Sequence, residues 1–218
     1  LKEVAAVLPG VIEELSEKGE SYFGFSLPVS AHIFTGLYAS NAFVDHQMEM
    51  YFAIEKLSQD PSLLRVIVAH EMIHSYHYHL LGHAGIDWQA IDWSDVRNSL
   101  YLEGVATYLS EKLVPGHPQH VYFSYEDEGE DWLDFCKQNH KKIAAAFLAD
   151  LDSENVNMEK EWLRLSGGQH FGYNRLGYYL GTTLVRDLLE ELQEEEMLKM
   201  LAEKDVAGEV DRWLRQWG

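Results

Sequence analysis

His70-Glu71-Met72-Ile73-His74 places two imidazoles four residues apart, with a carboxylate beside the first. On a helix, positions i and i+4 stand one above the other on one face, as two neighbouring ligands of a zinc ion must. Glu71 is offset by one position, so its carboxylate can reach a water in an open coordination position without displacing either imidazole. One and a half turns of helix would then carry two ligands and a proton acceptor for hydrolysis by activated water. The pentad is short and the chain holds 11 His. Its meaning therefore depends on the element that carries it and on a third ligand.

The elements around the pentad can be read from turn and cap chemistry. Asp60-Pro61 is a helix start, with Asp60 as N-cap and Pro61 at the first helical position, where no N–H is needed. Leu63, Leu64, Ile67 and Val68 lead into His70 and on to Leu81, and Gly82 is the expected stop. The pentad thus falls mid-helix, in a segment apolar on most faces and expected to be buried. A loop follows through Trp93, with Ser94 expected to cap a helix over about Asp95 to Leu113; the Pro-Gly run after Val114 ends it. Further helices are expected over Trp132 to Leu151 and Tyr178 to Leu201. Upstream, Val4 to Leu15 has helical periodicity broken at Pro9-Gly10. Three or four strands are expected among Tyr22–Phe25, Ala31–Leu37, Ala42–Val44 and Met48–Ala53. The acidic run from Glu126 to Asp131 is read as a solvated loop, because its ligand spacing does not suit calcium.

A catalytic zinc usually takes three protein ligands and leaves one position for water. The metzincin pattern would need Gly and His where this chain has His77 and Leu80, so that branch is excluded. Glu103, in Leu102-Glu103-Gly104-Val105-Ala106 on the helix after the loop, is the leading third ligand. Gly104 and Ala106 are small, as expected where that helix approaches the metal-bearing one. Asp87, Asp92 and Asp95 are the rivals. His77, His79 and His83 are read as neighbours of the site or polar-face residues, and His32, His46, His117, His120 and His140 are assigned no role.

The Glu-Gly-x-Ala run resembles the third-ligand segment of gluzincins, the thermolysin- and aminopeptidase-like zinc peptidases. Together with the pentad helix and Gly177-Tyr178-Tyr179-Leu180-Gly181, it makes most of the chain similar to a family of predicted zinc-dependent proteases of uncharacterised function. That resemblance implies an α+β gluzincin-like fold, with a small N-terminal sheet plus the active-site helix (1–82) and a mainly helical C-terminal lobe (83–218), in one domain. It implies zinc in the cleft, held by His70, His74 and Glu103, with Glu71 as proton acceptor and donor. Tyr178 is the first candidate for stabilising the oxyanion, with Tyr173, Tyr179 and His170 as alternatives. An extended peptide or protein substrate would lie along an edge strand between about Gly36 and Val44. Gln47-Met48-Glu49-Met50 matches only Met-Glu of the aminopeptidase amine anchor, so Glu49 is read as a sheet residue, and exopeptidase and endopeptidase action stay equally open.

Composition excludes other classes. The formal charge of −19 repels phosphate backbones, so nucleic acid is not an expected partner. Cys136 is the single cysteine, which precludes an intrachain disulfide. No apolar run approaches the roughly 20 residues of a membrane span, and the first residues carry no signal-type core, so the expected location is the cytoplasm. Two other functions remain open: a zinc-containing binding or regulatory module without turnover, and a 2-His-1-carboxylate iron enzyme, which would leave Glu71 without a role.

Overall fold

The structure is a computed structural model that describes residues 1–36, 41–45 and 47–217. Leu37, the end of the expected strand Ala31–Leu37, and His46 lie outside the described residues. The class is α+β: mostly helical, with one three-stranded sheet. The chain forms two compact units, one of residues 1–80 and 109–129, the other of 81–108 and 130–218.

In the first unit, α1 (Lys2–Phe23) buries Val4, Leu8, Val11, Leu15 and Gly19, a stripe of helical spacing. The expected break at Pro9-Gly10 does not occur. Both residues face solvent, so the proline ring needs no space in the core and the helix continues through it. Tyr22–Phe25 is likewise not a strand. Helix α1 runs on to Phe23 and closes at Gly24, whose φ of 79° allows its N–H to bond Glu20 O. The helix is tied to α2 (Pro61–His83) by Arg65 Nε–Glu14 (2.9 Å) and by the Tyr76 hydroxyl, which donates to Ser16 O (3.1 Å). Gly19 is required there, since a Cβ would stand 2.5 Å from the Tyr76 ring.

Strands β1 (Ala31–Phe34), β2 (Ala42–Val44) and β3 (Met50–Ala53) form a sheet in the order β1-β3-β2. β1 runs parallel to β3 and β2 antiparallel to it. Met50, Phe52 and Ala42 point into the core, while His32, Tyr51 and Phe43 stack ring on ring across the opposite face. β2 is an edge strand inside the interval expected for substrate pairing; residues 37–40 of that interval lie outside the described residues. Glu49 precedes β3 and bonds His32 Nε2 (3.0 Å) and the Tyr51 hydroxyl (3.2 Å).

Helix α2 starts as its sequence requires, with Asp60 Oδ1 accepting from Ser62 N at 2.8 Å, and it ends one residue past Gly82. α3 (Val96–Leu113) is capped by Asp95, whose Oδ1 accepts from Arg97 N, rather than by Ser94. Ser94 instead donates to Asp92 in the preceding turn. A short helix, α4 (Val121–Ser124), precedes the acidic run, and Glu126, Asp127 and Glu128 are exposed as expected.

The second unit packs α5 (Glu130–Leu151, kinked at Asn139), α6 (Met158–Leu163), α7 (Leu176–Glu191), α8 (Glu194–Leu198), α9 (Met200–Glu203) and α10 (Val206–Leu214) with the first turns of α3. The expected helix from Tyr178 to Leu201 is three pieces. Gln193 is extended and forms a capping box with Glu196, so it starts a new helix where propensity alone would continue the old one. Gly104 serves a contact other than the one expected. A Cβ there would lie 2.2 Å from Gly181 O, and one on Gly181 would lie 2.1 Å from Leu100 O, so the paired glycines let α3 and α7 touch backbone to backbone.

Candidate metal centre

Helix α2 is buried for most of its length because it is apolar on most faces: its own Leu64, Val66, Ile67, Val68, Ala69, Met72 and Ile73 are all inaccessible. Within this shell sit polar side chains with little contact with water, His70, Glu71, His74 and His77. Their desolvation has to be offset by specific partners. The four-residue spacing brings the imidazoles of His70 and His74 edge to face, 4.9 Å between centroids at 83°, with the two Nε2 atoms 3.2 Å apart. That separation leaves room for one hydrogen or one ion.

Two nitrogens each about 2.05 Å from a tetrahedral zinc stand about 3.3 Å apart, so the pair fits two corners of such a site. Glu103, half-buried on α3, supplies a third donor. The ligand atoms of His70, His74 and Glu103 lie within 4.8 Å of one another. Two imidazoles and a carboxylate are a donor set suited to catalytic zinc. Among the described residues this is the group of such donors that could hold a metal ion.

The rival carboxylates are committed to local turns: Asp87 accepts from Gln89 N, Asp92 from Ser94 and Asp95 from Arg97. Each of the four oxyanion candidates has a packing or pairing partner. Tyr179 is buried against Trp132 and His140, Tyr173 lies 4.6 Å from the Phe135 ring, and His170 Nε2 bonds Asp150 at 2.8 Å. Burial raises the Tyr179 hydroxyl above its ordinary range, so it stays protonated. Tyr178 stands half-buried in the first turn of α7, with the Arg175 guanidinium 4.0 Å from its ring centroid. Of the other histidines near the pentad, His77 is fully buried, His79 packs on Phe25 and His83 is exposed.

One neighbour of the pentad was not visible in the sequence. Tyr125, immediately after α4, is buried, and its ring centroid lies 5.5 Å from that of His70 at 67°. Fifty-five residues separate the two, and nothing local in Phe-Ser-Tyr-Glu marks a tyrosine aimed at a ligand.

No protein-family model matches the chain, no curated protein matches it, and no solved structure matches its fold. No helix among the described residues is long and apolar enough to cross a membrane.

Proposed function

We propose that this chain is a zinc-dependent peptidase of the gluzincin type. The observation that carries the proposal is the convergence of His70, His74 and Glu103, two helices' worth of donors with ligand atoms within 4.8 Å. When bound, the ion supplies Lewis acidity and lowers the pKa of water in the remaining position.

The chain's own residues do the rest. His70 and His74 present Nε2, and Glu103 adds a carboxylate whose negative charge balances part of the ion's. Glu71, one residue from the first ligand and nearly inaccessible to solvent, takes a proton from the attacking water and gives it to the departing amine. Tyr178 donates a hydrogen bond to the oxyanion that develops as the peptide carbonyl becomes tetrahedral. The substrate backbone pairs with the β2 edge.

Two substitutions test this on a panel of unstructured peptides. Metal analysis after zinc reconstitution should find about one zinc per chain, lost in His70→Ala and kept in Glu71→Gln. Glu71→Gln should lower turnover by roughly 10²–10⁴-fold, the range of a positioned general base. Wild-type protein that takes up no zinc excludes the metal centre. A zinc-loaded wild type as inert as Glu71→Gln would instead be a binding module.

A further inference from the structure

Among the described residues, Met48, Tyr125 and Arg175 are the non-glycine residues with positive φ. A side chain in this left-handed region is strained, and such residues gather where function needs an exact placement. Each of the three touches a helix that carries a motif. Met48 O accepts from Ser75 on α2, Arg175 stacks on Tyr178 of α7, and Tyr125 packs on His70.

The Tyr125 case goes furthest. Its φ of 62° and ψ of 18° close α4, with its N–H bonded to Val121 O at 2.8 Å, a cap at which glycine would be unstrained. The strained backbone nonetheless carries a large ring and delivers it into the core. An imidazole on a helix is free to turn about a broad second side-chain torsion, so helical spacing alone does not aim Nε2. The Tyr125 ring lies edge to face on His70, and His70 lies edge to face on His74. The three rings form a series in which each limits the plane of the next.

We infer that Tyr125 is a positioning residue for the metal centre: its ring, delivered by a left-handed backbone, sets the plane of the His70 imidazole so that Nε2 faces His74 Nε2. This rests on the zinc-site proposal. Tyr125 is not itself a ligand, and its part is to remove the orientational freedom His70 would otherwise lose on binding the ion. Groups that orient a ligand typically contribute 10–100-fold to metal affinity.

The test compares the wild type with Tyr125→Leu, which keeps a buried apolar side chain without a ring, and Tyr125→Phe, which keeps the ring. Zinc affinity is measured by competition with a chromophoric chelator, and ligand geometry by the visible spectrum of the cobalt-substituted protein. Tyr125→Leu should weaken zinc at least about 10-fold and change the cobalt bands, while Tyr125→Phe stays within about 3-fold of wild type. A folded Tyr125→Leu with unchanged affinity and an unchanged cobalt spectrum overturns the inference and leaves the metal centre standing. A wild type that binds neither ion removes both. Should Tyr125→Leu not fold, the metal-free wild type still decides. A nuclear Overhauser contact between the Tyr125 and His70 rings is expected, and its absence overturns the inference.

Discussion

At the scale of single residues, the buried His70 and His74 and the half-buried His140 behave in opposite ways. His70 and His74 converge through Nε2 at 3.2 Å, the separation that the proposed ion would use. His140 sits among the rings of Tyr179, Trp213 and Trp217, and among the described residues neither ring nitrogen has a hydrogen-bond partner. Burial there disfavours the imidazolium and lowers the His140 pKa below its ordinary range, while the Asp187 carboxylate pulls it partly back. The unfolded chain therefore takes up this proton first on acidification. His140 thus contributes stability above its unfolded pKa of about 6.5, and the contribution is lost as pH falls from there through the lowered folded value. Replacing His140 with Phe should leave stability at pH 8 similar. It should also flatten the decline below about pH 6.5 in urea midpoints measured across pH. Equal pH slopes for the two proteins would contradict this account.

Elements carry the next layer, and the clearest case is the glycine pair that joins α3 to α7. A methyl group at Gly181 would meet Leu100 O at 2.1 Å, and backbone cannot swing aside as a flexible side chain can. Gly181→Ala should therefore destabilise by at least about 1–3 kcal/mol, the usual range for overpacking, measured by urea denaturation. Because Glu103 is the residue before Gly104, Gly104→Ala should also weaken zinc as the helix shifts. Gly10→Ala, where nothing lies within 4 Å, is the control expected to be neutral or slightly stabilising.

What was legible in the sequence follows the range of the cause. Asp60-Pro61 opens α2 and the pentad lies mid-helix, both decided by capping and spacing within one or two turns, whereas the approach of Glu103 to His70 and His74 is a tertiary fact that its small neighbours only hint at. Pro9 misleads because a proline on an exposed face is tolerated, and exposure is a tertiary fact. Gly104 reads correctly as a close approach but to the wrong helix, since smallness does not name its partner. Tyr125 is invisible because its relation to His70 exists only after 55 residues of chain have returned to α2.

For the whole molecule, charge and metal act together on stability. A formal charge of −19 means mutual repulsion of carboxylates, which added salt screens irrespective of any zinc. On the proposed function zinc would act differently, by binding the native arrangement of donors that lie 29 positions apart between His74 and Glu103 and are not assembled in the unfolded chain. At free zinc of about 100 times Kd, the native state gains about 2.7 kcal/mol. For a chain of this size, that corresponds to a rise of roughly 5–10 °C in Tm. The comparison has to be made at constant ionic strength, with magnesium as the equal-charge control, so that screening cancels. Under those conditions zinc should raise Tm, magnesium should not, and a chelator should reverse the gain. His70→Ala should lose the zinc response while keeping the response to sodium chloride, because the repulsion among carboxylates is untouched by that substitution. If zinc and magnesium raise Tm equally, in wild type and His70→Ala alike, the ions are only screening an acidic surface, and the three side chains do not bind a metal ion.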